Sequence, residues 1–136
     1  MTGETAPLCY VVDASLMVRR VAARIIRDLG YEVEDAKTGS EALSLAGLRR
    51  PDVVLTDWNG PDMRADALIE GLRAVEGGSS IRVILCTAER DPERIRQALA
   101  AGADEYIIKP FDAEIVESKF RLAGLPVRLK PVRAVA

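Results

Sequence analysis

The segment L-C-Y-V-V-D-A-S, residues 8–15, carries three structural signals in succession. Its apolar beginning, which is rich in valine, is typical of a strand that is buried on both faces. An acid, Asp13, ends the apolar run. Ser15 follows two residues later, and serine is a preferred cap of helix N-termini. The segment therefore predicts a buried strand, a polar strand end and a helix directly behind it.

The same order of strand and helix recurs along the chain. The predicted strands are residues 8–12, 31–36, 53–56, 81–86 and 106–108, and the predicted helices begin near Ser15, Ser40, Ala65, Asp91 and Asp112. In the first helix, four basic residues fall largely off the apolar face: Arg19, Arg20, Arg24 and Arg27. Five strand–helix units in succession imply one parallel sheet with helices on both faces, which is an α/β fold.

Composition narrows the classes of function. A chain of 136 residues is the size of one domain, and 49% hydrophobic residues are enough for one core. The formal net charge of -2 argues against a general nucleic-acid binder. The sequence has neither the roughly 20 apolar residues of a membrane span nor a secretory signal, so we predict a cytoplasmic protein. The absence of histidine excludes histidine-based catalysis and histidine metal ligands.

Polar side chains follow four of the five predicted strands. They are Asp13, Asp57, Thr87 and Lys109. The ends of parallel strands meet at one edge of a sheet, where such folds bind ligands, so we expect these groups to converge. Two neighbouring carboxylates favour a cation between them, and Mg²⁺ prefers such oxygen ligands. A lysine and a hydroxyl suit a phosphoryl group, and a carboxylate can act as the nucleophile that accepts it.

Four motifs resemble the receiver domain of bacterial response regulators, in the correct order. They are V-V-D-A-S (11–15), V-V-L-T-D-W-N-G-P-D-M (53–63), V-I-L-C-T-A-E (83–89) and G-A-D-E-Y-I-I-K-P-F (102–111), and the resemblance covers residues 8–122. It implies a flavodoxin-like, doubly wound fold with strand order 2-1-3-4-5 and a cis peptide between Lys109 and Pro110. In that order Cys9 and Cys86 lie about 9.6 Å apart, beyond disulfide reach. We assign residues 1–123 to the receiver domain and 124–136 to a basic tail that is flexible when free.

The resemblance also implies roles for single residues. Asp57 resembles the aspartate that a histidine kinase phosphorylates, and Lys109 resembles the lysine that pairs with the phosphoryl group. Thr87 and Tyr106 resemble the hydroxyl and the aromatic residue that rearrange on activation. Such a domain is no ordinary enzyme, because its chemistry is limited to its own phosphorylation and dephosphorylation.

The metal site departs from the family pattern. Receivers usually have two adjacent acids after the first strand, and here Asp13 is followed by Ala14. Asp13, Asp57 and the backbone carbonyl of Asn59 would hold Mg²⁺, and the loss of one ligand should weaken binding by at least roughly 10–100-fold. Asn59 also tunes phosphoryl lifetime in the family, as does the position of Glu89. Gly60 and Arg64-Ala65 depart as well, and we expect the Arg64 guanidinium near the acidic pocket.

The resemblance and the departure at Ala14 leave two alternative functions. The first is a single-domain adaptor that is phosphorylated by a histidine kinase or a phosphotransfer protein. It would then change its affinity for a protein partner, such as a flagellar motor component, on the face of the fourth helix, fifth strand and fifth helix. We expect no DNA-binding domain in such an adaptor. The alternative is a degenerate receiver that binds a protein or cyclic di-GMP, as in the Cle group of CheY-like regulators. The residues that would bind the nucleotide are basic: Arg94, Arg96, Arg121, Arg128, Lys130 and Arg133.

Overall fold

The structure is a computed structural model, and it describes residues 5–128. Its strands are β1 (Leu8–Val12), β2 (Glu32–Ala36), β3 (Val53–Thr56), β4 (Arg82–Thr87) and β5 (Glu105–Ile108). Its α-helices are α1 (Leu16–Asp28), α2 (Gly39–Leu48), α3 (Ala65–Ala74), α4 (Pro92–Ala100) and α5 (Ala113–Leu122). A single 3-10 turn, Gly78–Ser80, precedes β4. The predicted alternation of strand and helix is confirmed.

All five strands pair in parallel in the order β2-β1-β3-β4-β5. The predicted doubly wound fold and its strand order are therefore confirmed, and so is the cis peptide between Lys109 and Pro110. Cys9 on β1 and Cys86 on β4 are both buried and free, as expected from the strand that separates them. No helix among residues 5–128 is long and apolar enough to cross a bilayer.

The sheet has a hydrophobic core on each face. On one face, α1 and α5 cover the strands, and Ile26 and Phe120 are fully buried there. On the other face, α2, α3 and α4 pack through residues such as Leu72 and Ala98. Because the central strands are covered on both sides, β1 and β3 are buried along their whole length, which explains their continuous apolar runs. The strand ends, where the polar residues lie, are thereby held in fixed relative positions.

Helix α2 begins one residue earlier than the sequence predicts. Thr38 is its N-cap, and the Thr38 hydroxyl accepts a hydrogen bond from the amide of Glu41 at 3.1 Å. Ser40, which we expected to begin the helix, lies inside the first turn and donates its hydroxyl to Asp62 instead. Serine is the better cap by type, so residue type does not predict Thr38 as the cap; the bonds of Ser40 to Asp62 are a tertiary contact that favours the earlier start.

The segment after α5 packs onto the opposite end of the domain from the polar strand ends. Leu125 is buried in the α1–α5 core, and the carbonyl of Pro126 accepts a hydrogen bond from the Tyr31 hydroxyl at 2.7 Å. The amide of Arg128 donates to the carbonyl of Leu29 at 2.7 Å. Gly30 lies beside Arg128 with φ +102, a conformation that favours glycine. The first residues of the predicted tail are thus fixed to α1, and residues 129–136 lie outside the described part.

Truncation of the chain after Gly124 is expected to lower the free energy of unfolding by about 2 kcal/mol. The truncated chain loses the burial of the Leu125 side chain, worth about 1.5–3 kcal/mol. It also loses three hydrogen bonds, from the Leu125 amide to Phe120, from the Tyr31 hydroxyl to Pro126 and from the Arg128 amide to Leu29, which the ordering entropy of the segment offsets. Urea unfolding of the two proteins measures the difference. The matched control is truncation after Arg128, which keeps every described contact and should leave stability unchanged. Equal stability of all three chains would show that the segment contributes nothing.

Candidate functional site

Three of the predicted site residues are in direct contact at the carboxyl edge of the sheet. The Lys109 ammonium lies 2.8 Å from a carboxylate oxygen of Asp13 and 2.9 Å from one of Asp57. The fourth residue, Thr87, is buried at the end of β4, and its carbonyl accepts a hydrogen bond from the amide of Lys109. Residues from four different strand ends therefore form one polar site.

Lys109 neutralises part of the negative charge in this site. Burial by itself would lower the pKa of Lys109, but hydrogen bonds to Asp13 and Asp57, together with their charges, raise the pKa above its ordinary value. Lys109 is therefore fully charged at neutral pH. One ammonium group faces two carboxylates, so the site retains a net negative charge that a metal cation could share.

Asp13 is held in place by the helix that follows it. One of its carboxylate oxygens accepts a hydrogen bond from the amide of Ser15, and Ser15 in turn caps α1. The Arg19 guanidinium, which is only 4% exposed, donates to the carbonyls of Asp13 and Ala14. Its Nε donates to the Asp35 carboxylate at 2.7 Å. The backbone around Asp13 is thus fixed by a buried guanidinium, whose acidic partner Asp35 is half exposed.

The burial of Arg19 corrects the sequence prediction that placed it on the polar side of α1. An arginine is rarely buried unless its charge is paired, and the pairing here comes from β2, on a different part of the chain. The periodicity of α1 carries no information about Asp35. The signal available in the sequence was only the presence of an acid in the second strand.

The set of possible metal ligands is small but chemically suitable. The carboxylates of Asp13 and Asp57 both point at one cation, the Lys109 ammonium, and hard oxygen donors of this kind suit Mg²⁺. Ala14 is exposed beside them and contributes no ligand. Residues 5–128 contain no group of three or more acidic, histidine or cysteine side chains arranged around one metal position. The residues therefore fit Mg²⁺ with fewer protein ligands than two adjacent acids would allow.

The loop after β3 closes into a short hairpin, residues 59–64, which we call the loop hairpin. Asn59 and Arg64 pair as an antiparallel bridge at its base. At its tip, the amide of Gly60 donates to the carbonyl of Met63 at 3.1 Å. A Cβ at Gly60 would lie 2.6 Å from the Met63 carbonyl oxygen, so this turn requires glycine. The departure from the family pattern at Gly60 thus follows from the shape of the turn.

Arg64 does not contribute its charge to the acidic pocket. Its guanidinium binds the Asp66 carboxylate at 2.6 Å and lies over the ring of Trp58, 5.5 Å from the ring centroid. The guanidinium that we expected near the acidic pocket is instead engaged by Asp66 and Trp58. An acid two residues away and a neighbouring aromatic ring offer the guanidinium closer partners, and arginine stacks well on aromatic faces.

Tyr106 links the polar site to the surface. It lines the small gap behind Thr87 and also a surface depression of about 500 Å³ between α4 and β5. The ammonium of Lys119 lies 4.4 Å from the centroid of its ring. Glu89 donates its amide to the Thr87 hydroxyl at 3.1 Å and lies 3.9 Å from Arg94. A movement of Thr87 would therefore reach both Tyr106 and the beginning of α4.

The six cations proposed as nucleotide ligands do not form one site in the described part of the chain. Arg96 pairs with Glu93 at 2.6 Å on α4. Arg121 pairs with Glu117 at 3.4 Å on α5, which packs on the other face of the sheet. Arg128 lies at the end of α1, and Arg94 lies beside Glu89 at the beginning of α4. The remaining two, Lys130 and Arg133, fall outside the described residues.

Comparisons with known proteins agree with the fold and the motifs. The family model for the response regulator receiver domain matches residues 9–121. Chemotaxis protein CheY-3 of Vibrio cholerae is 36% identical over 110 residues, which cover 80% of this chain and 85% of that protein. Chemotaxis protein CheY of Pseudomonas aeruginosa is 34% identical over 110 residues, covering 80% and 89% respectively.

Solved structures show the same relationship. The chemotaxis response regulator CheY4 of Vibrio cholerae superimposes with a TM-score of 0.79 at 31% identity, covering 87% of this chain and 99% of that one. The BeF3-activated receiver domain of DrrB superimposes with a TM-score of 0.77 at 26% identity, covering 88% and 97%. Together with the family model, these relatives show that the chain belongs to the response regulator receiver domains and is a CheY-like regulator of two-component signalling.

Proposed function

We propose that Asp57 accepts a phosphoryl group from a histidine kinase or a phosphotransfer protein, and that this phosphorylation switches affinity for a downstream protein. The observation that carries the proposal is the contact of Lys109 with both Asp13 and Asp57. In this contact one charge-neutralising ammonium lies within hydrogen-bonding distance of a potentially nucleophilic carboxylate, Asp57, and of a second carboxylate, Asp13. These are the groups that phosphoryl transfer to a carboxylate requires.

The proposed transfer uses each of these groups. A carboxylate oxygen of Asp57 attacks phosphorus, the bond from phosphorus to the donor nitrogen breaks, and the donor histidine leaves as an imidazole. The Lys109 ammonium then pairs with the phosphoryl oxygens instead of bridging two carboxylates. When bound, Mg²⁺ supplies charge neutralisation at the phosphoryl oxygens. Asp13, Asp57 and the Asn59 carbonyl would hold it, with reduced affinity because Ala14 offers no ligand.

The surface that responds is the face formed by α4, β5 and α5. Thr87 moves toward the new phosphoryl group, and Tyr106 then fills the gap behind it. Because Tyr106 also lines the depression between α4 and β5, its movement changes the shape of that surface. Cyclic di-GMP binding remains a prediction from the sequence, and no contact among the described residues favours it over this switch.

A beryllofluoride titration tests the proposal. Beryllofluoride mimics a phosphoryl group on a carboxylate, and backbone amide shifts report which residues respond. With Mg²⁺ in excess, we expect shifts at Asp57, at Thr87 and along α4 and β5. In a Thr87→Ala variant, shifts around Asp57 should persist while those along α4 and β5 are lost. Shifts confined to the neighbourhood of Asp57 in the unmodified protein would contradict the switch.

A further inference from the structure

The tip of the loop hairpin is bonded to the first turn of α2. One carboxylate oxygen of Asp62 accepts the amide of Gly39 at 3.0 Å. The other accepts the amide of Ser40 at 3.1 Å and the Ser40 hydroxyl at 2.6 Å. The Ser40 hydroxyl is the main cause that lowers the pKa of Asp62, so this carboxylate stays charged at neutral pH. A negative charge at a helix N-terminus is favourable.

A second contact joins the same two elements. The side chain of Met63 occupies the space beside Gly39, where an added Cβ would lie 2.6 Å from the Met63 Cγ and 2.7 Å from its sulfur. Gly39 is buried, and Met63 packs against the core under α2. The tip of the loop hairpin is thus held both by hydrogen bonds and by packing, at a point 22 residues away in sequence.

The base of the loop hairpin is closed by the Ala65 amide, which donates to the Trp58 carbonyl at 2.8 Å, but it is joined only weakly to Asp57. The bond that joins it directly to the phosphoacceptor runs from the amide of Asn59 to the Asp57 carboxylate, and at 3.4 Å it is long for a hydrogen bond. The hairpin itself is closed by the Asn59–Arg64 bridge and the Gly60 turn, so it moves as one piece. If the hairpin moves as one piece, the anchoring of its tip also sets the position of the Asn59 backbone relative to Asp57.

We propose that Asp62 is a positioning residue that fixes the loop hairpin on α2 and so sets the position of the Asn59 carbonyl relative to Asp57. The inference rests on the proposed function, because that carbonyl matters as a Mg²⁺ ligand. The Asn59 carbonyl matters more for Mg²⁺ binding here than in a receiver with two adjacent acids. With Ala14 in place of the second acid, backbone oxygen supplies a larger share of the metal's protein ligands.

Asp62 also caps α2, and a cap acts on stability alone. The chain offers a matched control for that effect. Thr38 caps the same helix by accepting the amide of Glu41 at 3.1 Å, and it has no bond to the loop hairpin among the described residues. Removal of either side chain deprives the first turn of α2 of a hydrogen-bond acceptor. Only the removal of Asp62 also removes the hydrogen bonds that tie the loop hairpin to α2.

The test compares Asp62→Ala, Asp62→Asn and Thr38→Ala in the full chain. Hydrogen exchange of the Gly60 and Ala65 amides in metal-free protein measures the order of the loop. Fluorescence of Trp58, the only tryptophan, measures Mg²⁺ binding. We expect Asp62→Ala to speed exchange at both amides about tenfold and to weaken Mg²⁺ binding about tenfold, with Asp62→Asn between it and the unmodified protein. Thr38→Ala should change stability but neither of these quantities.

Two results would overturn the proposal. One is unchanged exchange at Gly60 and Ala65 in Asp62→Ala. The other is an equal change in Thr38→Ala, because Asp62 would then act only as a helix cap. If the two amides respond as expected but the unmodified protein binds no Mg²⁺, the positioning of the loop stands and the proposed phosphorylation chemistry fails. The metal-free measurement therefore separates the two failures.

Discussion

Replacing Ala14 with aspartate is expected to tighten Mg²⁺ binding by at least about tenfold. Ala14 is exposed next to Asp13, and its backbone carbonyl is already held by Arg19. A carboxylate introduced there adds a hard oxygen ligand without asking the loop to refold. It also makes the site more negative, which favours a divalent cation over the single charge of Lys109. Phosphorylation of Asp57 by a small phosphodonor should become faster in proportion at subsaturating Mg²⁺.

Trp58 fluorescence during a Mg²⁺ titration measures this change, since Trp58 directly follows Asp57. The matched control is Ala14→Asn, which offers a neutral oxygen of the same size and separates the added ligand from the added charge. We expect the Mg²⁺ affinity of Ala14→Asn to lie between the affinities of the unmodified protein and of Ala14→Asp. Identical Mg²⁺ affinity in the unmodified protein and in Ala14→Asp would mean that another group already completes the metal site.

Lys109→Met is expected to change metal binding and phosphoryl transfer in opposite directions. Without the ammonium, the carboxylates of Asp13 and Asp57 lose their cation and should bind Mg²⁺ several-fold more tightly. Phosphorylation of Asp57 should nevertheless slow by about 100-fold, because the transferred group loses a positioned charge that stabilises it. Phosphorylation rates at saturating Mg²⁺ isolate the second effect. Parallel loss of both properties would indicate that Lys109 acts mainly on the structure of the site.

The comparison of Lys109→Met with the unmodified protein requires that Lys109 stays charged over the pH range of the experiment. The pKa of Lys109 is raised in the folded protein, so its stabilising contribution is fully present below the unfolded pKa of about 10.4 and is lost only as the pH rises through the higher folded value. Between about pH 6 and 8, which includes physiological pH, Lys109 keeps its charge. Titration of Lys109 would therefore not account for a pH-dependent rate in that range.

The fold could be predicted from the sequence because its signals are local. Each buried strand is a short apolar run, and each run is followed by a polar residue and a helix start. Topology alone then brings Asp13, Asp57 and Lys109 to one edge. The resemblance to receivers added the strand order and the cis peptide, and both are confirmed.

The contacts that position the site could not be predicted, because they join distant parts of the chain. Arg19 reaches Asp35 on the edge strand, and Asp62 reaches Ser40 on α2. Neither helical periodicity nor turn chemistry specifies such a partner. Arg64 illustrates the reverse case, since its charge is engaged by Asp66 within its own segment. The sequence also does not predict the packing of Leu125, because the core that Leu125 joins includes residues of α1, far away along the chain.

We propose that Asp57 accepts a phosphoryl group in a site where Mg²⁺ binds weakly. Intact-protein mass spectrometry after incubation with a small phosphodonor, across a series of Mg²⁺ concentrations, tests it most directly, with Asp57→Asn as the control. We expect the unmodified protein to gain one phosphoryl group and Asp57→Asn to gain none. The extent of phosphorylation should rise with the Mg²⁺ concentration without early saturation. An unmodified protein that stays unphosphorylated at every Mg²⁺ concentration, or an Asp57→Asn variant phosphorylated to the same extent, would contradict it.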